Sequence, residues 1–194
     1  MQLIEQRYLS TMNLEEISPF IHNLVEESGR IILGHYLKPN LQVDRKADET
    51  PITVADRETE CRMREIIEKQ FPDHGIIGEE QGPIREDAEY VWLLDPIDGT
   101  NSFIAGVPLF GTLICLQQNG SPILGVIHQP VLGQLMIGDG STTTLNGKPT
   151  RMRTPTALKD AIVLCTDEHD AKKRFPEEAW NNITEKAWIY RTWG

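Results

Sequence analysis

The chain has 194 residues, of which 39% are hydrophobic and 25% charged, and this composition excludes low-complexity, collagen-like and disordered classes. Its formal net charge of -10 disfavours nucleic acid or an anionic membrane as a partner, because the summed field repels both. The three cysteines are odd in number and far apart, and the sequence shows no long apolar run or signal-peptide pattern. We therefore expect a soluble, cytoplasmic protein.

Two helices are predicted in the N-terminal part of the chain. Apolar residues at helical spacing indicate the first over about 13–37, with either Asn13 or Ser18 as its N-terminal cap. A short strand over 41–45 and a polar loop follow. The second helix is predicted over about 54–71 and ends before Pro72.

Short strands separated by turn residues come next. They are predicted over 76–77, 90–94, 110–116, 123–127 and 134–137. Turns are predicted at Asn119-Gly120 and Asn146-Gly147. Because such connections are of hairpin length, we expect an α+β fold with a largely antiparallel sheet and the two helices packed on one of its faces.

The pattern changes near Pro155. A strand over 161–165, a weak helix over about 176–186 and a strand over 187–190 predict the opening of a second α/β unit. The basic run Lys172–Arg174 is interpreted as a solvated helix start. We divide the chain into an α+β domain over 1–154 and the start of a second α/β domain over 155–194, which we expect to be truncated.

Acidic residues follow two of the predicted strands. Asp95 and Asp98 come directly after the strand 90–94, and Pro96 between them is expected to turn the chain at once. Such a turn would let both carboxylates and the Ile97 carbonyl face one point, which suits a hard cation. Glu79 follows a neighbouring strand and could reach the same point.

The neighbours of this acidic set have expected roles of their own. Glu80 should point away from Glu79, so we place it in a supporting or surface position. Gly99 opens a short helix whose free amides would face an anion such as phosphate. Metal-binding carboxylates beside such amides are what a metal-assisted phosphate hydrolase needs. The alternative is a simple capped turn over 95–100, which is less favoured once Glu79 and Asp56 join the cluster.

Three segments together resemble the inositol monophosphatase superfamily of Mg²⁺-dependent, lithium-sensitive phosphatases. They are 53–56 (TVAD), 78–80 (GEE) and 95–100 (DPIDGT). The segments 110–114, 125–130 and 190–194 most resemble its histidinol-phosphatase branch. The resemblance implies a layered αβαβα sandwich, a homodimer and hydrolysis of a small phosphorylated alcohol. L-histidinol phosphate is the leading substrate, and inositol phosphate is the alternative.

The resemblance also implies roles for individual residues. The expected ligands of Mg²⁺, with two or three ions per site in a complete enzyme, are Glu79, Asp95, the Ile97 carbonyl and Asp98. The expected catalytic residues are Asp56 and Thr100, as a hydrogen-bonded pair that activates water, and Glu79. The expected substrate-binding residues are Glu79, Ile97, Asp98, Gly99, Thr100, Arg191 and Gly194. A family lysine at the mouth of the metal site corresponds to Lys46.

The sequence departs from the family pattern at a few positions. His128 stands where the histidinol-phosphatase branch leads us to expect a carboxylate, and we interpret it as a strand histidine. Asn101 replaces a residue that is often Arg in that branch. A further family Asp, which completes the second metal site in a Trp-Asp motif, has no counterpart within the 194 residues. A fragment without catalytic activity is therefore a further alternative.

Overall fold

The computed structural model describes residues 14–154 and 156–192. The helices are α1 (Leu14–His35), α2 (Val54–Gln70), α3 (Thr100–Ala105), α4 (Glu168–Arg174) and α5 (Glu177–Lys186). The strands are β1 (Val43–Arg45), β2 (Pro51–Thr53), β3 (Gly75–Gly78), β4 (Tyr90–Asp98), β5 (Gly111–Gln118), β6 (Ser121–Gln129), β7 (Gln134–Gly138), β8 (Thr143–Leu145), β9 (Lys148–Pro149), β10 (Ile162–Cys165) and β11 (Ile189–Thr192).

Seven strands form one sheet in the order β3-β4-β5-β6-β7-β8-β9. Strands β3 and β4 are parallel, and every other neighbouring pair in this sheet is antiparallel. Both predicted hairpin turns occur, with positive φ at Asn119 and Gly120 and again at Asn146 and Gly147. The α+β class and the largely antiparallel sheet are confirmed.

The main core lies between the two long helices and one face of this sheet. Alternate residues of the strands point to that face, as the pleat requires. The fully buried members from the helices are Ile21, Leu24, Met63 and Ile67, and those from the sheet are Ile76, Trp92 and Leu116. The predicted packing of both helices on one face is therefore confirmed.

A second, smaller core lies under the segment that follows Leu94. It joins Ile97 and Phe103 to Ile32 of α1, Ala55 of α2 and Phe110. The rings of Phe103 and Phe110 meet edge to face, with centroids 5.1 Å apart. This core ties α3 to the beginning of α2.

The C-terminal part forms a two-stranded parallel sheet of β10 and β11 with α4 and α5 between them in sequence. Its strand–helix–strand order agrees with the predicted α/β unit, although the boundary near residue 155 stays a prediction. None of the described helices is long and apolar enough to cross a membrane.

Three local expectations are wrong. Helix α1 begins at Leu14 and contains Pro19, so Ser18 is not its cap; Asn13 lies outside the described residues. The run Lys172–Arg174 ends α4 rather than starting a helix, since Asp167 caps that helix by accepting from Asp170 N at 2.9 Å. Basic side chains at a helix C-terminus complement its dipole. The third correction concerns the turn after Leu94.

Candidate functional site

Strand β4 does not turn at Pro96 but continues to Asp98. Asp95 pairs with Leu113 and Asp98 with Gly111, so Pro96 and Ile97 together oppose a single residue of β5. Two residues against one make a β-bulge, which bends a strand and re-aims its side chains. The bulge accommodates the proline without ending the strand, and it carries the predicted metal-binding segment.

Glu79 reaches this segment along the parallel pair of β3 and β4. Its amide donates to Leu94 O at 3.1 Å, which sets Glu79 next to Asp95. Burial raises the pKa of Asp95 to about 8, and the charges of Glu79 and Asp98 add to the increase. The three carboxylates therefore lie close enough to affect one another's charge, but they do not converge on one point as expected.

The Asp95 carboxyl group has a further property that bears on metal binding. Its Oδ1 is buried and contacts no hydrogen-bond partner among the described residues. A buried carboxyl oxygen without a donor, surrounded by other carboxylates, fits a site that a cation would complete. Within 14–154 and 156–192, however, no three His, Cys, Asp or Glu side chains are already arranged around a single point as metal ligands.

Lys46 contacts the carboxylates at the edge of this site. It follows β1, and its Nζ donates to Glu79 Oε1 at 2.7 Å and to Glu80 Oε1 at 3.0 Å. The side chain of Glu80 is only 3% exposed and meets Glu79 at the same ammonium, so a surface position and an orientation away from Glu79 are both wrong. A supporting role for Glu80 stays a prediction. Burial raises the pKa of Glu80, while the bond with Lys46 opposes the increase. The lysine thus offsets part of the negative charge at this edge.

Asp56 occupies the third position of α2 and takes part in its N-terminal cap. Its Oδ2 accepts from Thr53 N at 2.8 Å and from Thr53 Oγ1 at 2.6 Å, a capping box that fixes the carboxylate. Burial raises the pKa of Asp56 despite these bonds. The expected bond with Thr100 is not formed, because the Thr100 hydroxyl donates to Ile97 O at 3.1 Å instead.

Gly99 begins the short helix α3 as predicted. Its φ of 90° lies in the left-handed region, and a Cβ there would come within 3.0 Å of Leu109 O, so the position requires glycine. The first helical bond runs from Phe103 N to Gly99 O at 3.0 Å. The amides of the first turn of α3, before Phe103, are therefore not used within the helix.

An open cavity of about 430 Å³ adjoins this turn. It is lined by Asp98, Gly99, Asn101, Ser102, Leu109, Phe110, Gly111, Leu113, Ile127, Gln129, Thr166 and Asp167. Its charged lining residues are both acidic, and Arg191 is not part of the described lining; that guanidinium is exposed and donates to Tyr190 O at 2.7 Å. Gly194 lies outside the described residues.

Sequence reasoning missed Glu60, which supports the loop that carries Glu79. The Glu60 side chain is fully buried and accepts from Arg64 Nε at 2.8 Å, Glu80 N at 2.7 Å and Gln81 N at 3.1 Å. A Cβ at Gly78 would overlap this carboxylate, so glycine is required there as well. The signal was present in the sequence, because two charged residues four apart, Glu60 and Arg64, lie on the buried face of α2.

Comparisons with known proteins show the family to which this fold belongs. The model of the inositol monophosphatase family matches residues 13–188. The chloroplastic bifunctional phosphatase IMPL2 of Arabidopsis thaliana is 41% identical over 181 residues, which cover 92% of this chain and 52% of the relative. A histidinol-phosphatase of Chlorobaculum parvum is 36% identical over 172 residues, which cover 88% and 66%.

Solved structures agree with these matches. An inositol monophosphatase of Zymomonas mobilis superposes with a TM-score of 0.74 at 36% identity, covering 92% of this chain and 69% of that one. The SuhB protein of Bartonella henselae gives a TM-score of 0.83 at 26% identity, with 92% and 70% covered. The chain belongs to the inositol monophosphatase family. It spans between half and two thirds of the length of the two curated relatives named above.

Proposed function

We propose that this protein hydrolyses a small phosphorylated alcohol in a Mg²⁺-dependent reaction, with L-histidinol phosphate as its substrate. The observation that carries the proposal is the buried Oδ1 of Asp95 on the β-bulge, which has no donor among the described residues and lies beside Glu79 and Asp98, directly before the α3 turn. Membership of a generally metal-dependent phosphatase family supports it. The residues present fit a hard cation, because carboxylate and carbonyl oxygens are the ligands it prefers.

Glu79, Asp95, the Ile97 carbonyl and Asp98 would hold Mg²⁺, with two or three ions in a complete site. When bound, the metal would supply Lewis acidity that favours the hydroxide form of water and stabilises the leaving alkoxide. The Lys46 ammonium contacts Glu79 Oε1, so Glu79 would offer its other carboxylate oxygen, Oε2, to the metal.

The protein's own groups would orient the reactants. The Thr100 hydroxyl donates to Ile97 O, so its oxygen lone pairs remain to accept a hydrogen bond from the attacking water. Asp56, held in place by Thr53, would receive the proton, in keeping with a pKa that burial raises. The amides of Gly99 and Thr100 would donate to the phosphate oxygens that do not react.

The cavity beside Gly99 supports a substrate with a cationic alcohol part. If Asp98 binds metal, Asp167 is the remaining carboxylate of the lining, and neither lysine nor arginine is among the described lining residues. L-histidinol phosphate carries an ammonium group close to its ester, which such a carboxylate would attract. Inositol phosphate is the second candidate, because Asn101, Gln129 and Thr166 offer neutral hydrogen-bonding groups to a polyol.

The substitution Asp167→Asn tests the choice between the two substrates. It removes the charge but keeps an oxygen that can cap α4, since asparagine is as good a cap as aspartate. Asp167 is exposed, so we expect KM for L-histidinol phosphate to rise about two- to fivefold, with little change for inositol phosphate. An equal change in KM for both substrates would contradict our choice of L-histidinol phosphate. So would a kcat/KM of the original protein that is tenfold higher for inositol phosphate than for L-histidinol phosphate.

Turnover combined with Mg²⁺ titration calorimetry tests the reaction itself. We expect Mg²⁺ to bind and to activate the protein, and Asp95→Asn to abolish both effects; activity of that variant at the original level would refute the metal site. Mg²⁺ binding without turnover would favour the inactive-fragment alternative. We also propose a cytoplasmic homodimer, for which sedimentation velocity should give about twice the mass of 22.0 kDa.

A further inference from the structure

We infer that Thr112 is a positioning residue, whose buried hydroxyl holds the β-bulge in the shape that presents Asp95, the Ile97 carbonyl and Asp98. This inference rests on the proposed function, in which residues of the bulge are the metal ligands. The hydrogen bond on which it is based is a property of the metal-free protein.

The register of β4 and β5 singles out this threonine. Asp95 pairs with Leu113 and Asp98 with Gly111, so Thr112 is the residue that faces the two bulged residues, Pro96 and Ile97. A bulge interrupts the ladder of backbone hydrogen bonds, and its extra residue loses its regular partner on the neighbouring strand. The groups of the bulge therefore need donors from elsewhere.

The Thr112 side chain provides such a donor. Its Oγ1 donates to Pro96 O at 2.9 Å, and the residue is completely buried. Pro96 is buried as well, so water does not replace this bond easily. The carbonyl lies between Asp95 and Ile97, one peptide from each of two expected ligands. Loss of the bond would allow the peptide to rotate and would move both ligands.

Thr112 is itself fixed from two sides. On the neighbouring strand it pairs with His128 of β6. On the helix side, Ser28 of α1 is fully buried, donates its hydroxyl to Val25 O at 3.0 Å and places that oxygen 3.5 Å from Thr112 Oγ1. The contact between α1 and the sheet is thereby linked to the shape of the bulge.

A serine or threonine hydroxyl is the specific requirement at this position. Valine has nearly the shape of threonine without the donor, whereas serine keeps the donor and loses only a methyl group. Thr112→Val and Thr112→Ser therefore separate hydrogen bonding from packing. Thr59 offers a matched control, because it is also fully buried and its hydroxyl contacts no partner among the described residues.

The experiment measures amide hydrogen exchange of 97–99 by NMR in the metal-free protein, and Mg²⁺ affinity by calorimetry. In Thr112→Val we expect exchange about fivefold faster, as for the loss of one neutral hydrogen bond. We expect Mg²⁺ affinity about tenfold weaker, as for loss of a partner that orients metal ligands. Thr112→Ser should restore both values, and Thr59→Val should leave both unchanged.

Three results would overturn the inference: unchanged exchange in Thr112→Val, equal acceleration in Thr112→Ser, or the same acceleration in Thr59→Val. If Thr112→Val does not fold, Thr112→Cys replaces it, and its weaker thiol donor should give an intermediate acceleration. If the original protein does not bind Mg²⁺ while the exchange pattern is as expected, the proposed function fails and the positioning role of Thr112 stands.

Discussion

The buried ion pair of Glu60 and Arg64 gives a prediction that can be worked out from the structure. We expect Glu60→Gln to destabilise the protein strongly. The carboxylate accepts three bonds, from Arg64 Nε, Glu80 N and Gln81 N, and both side chains are less than 10% exposed, at 0% and 8%. Glutamine has almost the same volume, so the substitution changes charge and hydrogen bonding but hardly changes packing.

The magnitude follows from those three bonds. An amide keeps one acceptor oxygen, so its NH₂ group must face a donor on one side of the site. Each charge-assisted bond contributes about 1.5–3 kcal/mol, and Arg64 would be left buried without a charged partner. We therefore expect the free energy of unfolding to fall by about 3–5 kcal/mol. For a chain of this length that lowers Tm by roughly 6–20 °C.

Urea and thermal unfolding followed by circular dichroism measure this loss. The control is the exposed pair of Arg57 and Asp44, whose Nη1 and Oδ2 atoms are 2.7 Å apart and whose side chains are 47% and 60% exposed. Asp44→Asn should change the free energy of unfolding by less than about 1 kcal/mol. If Glu60→Gln falls within that same range, the reasoning about the buried carboxylate is refuted.

Two half-buried titratable groups and one glycine give the remaining predictions. Burial lowers the pKa of His74 below 6.5, and its Nδ1 accepts from Trp92 Nε1 at 3.0 Å. The unfolded chain therefore binds more protons than the folded one, and stability should fall as the pH is lowered below about 6.5. Urea unfolding at a series of pH values should show a smaller fall for His74→Asn, and equal falls would contradict this. For Asp95 the dependence of stability on pH has the opposite sign. Its pKa rises from 3.8 to about 8, so the metal-free folded protein loses stability as pH rises through that window. At the upper end of the window, at a pH of about 8, Asp95→Asn should unfold at a higher urea concentration than the original protein, and a lower urea midpoint would contradict this. Gly78→Ala should destabilise by about 1–3 kcal/mol through overlap with Glu60, whereas Gly82→Ala, where a Cβ meets nothing within 4 Å, should be neutral in the same melts.

Local features of the chain were predictable from the sequence because short-range chemistry decides them. Helix α2 was expected over 54–71 and is observed at Val54–Gln70, since apolar spacing and a proline after its end depend only on neighbouring residues. The Asn-Gly turns were also predicted correctly, as both residues adopt positive φ readily. The residue types of the acidic segment indicated a cation, and the motif order indicated the family.

Tertiary structure decided how those residues meet. Pro96 suggested a turn from local rules, but pairing with β5 keeps the strand extended and absorbs the extra residue as a bulge. Lys46 contacts Glu79 across 33 positions of sequence, and Glu60 contacts Gln81 across 21. Local rules contain no information on such pairs, because the free energy of a buried charge depends on groups that only the folded chain brings near. The sequence by itself determined which residue types the candidate site contains, and the packing of two helices on a mixed sheet decided its geometry.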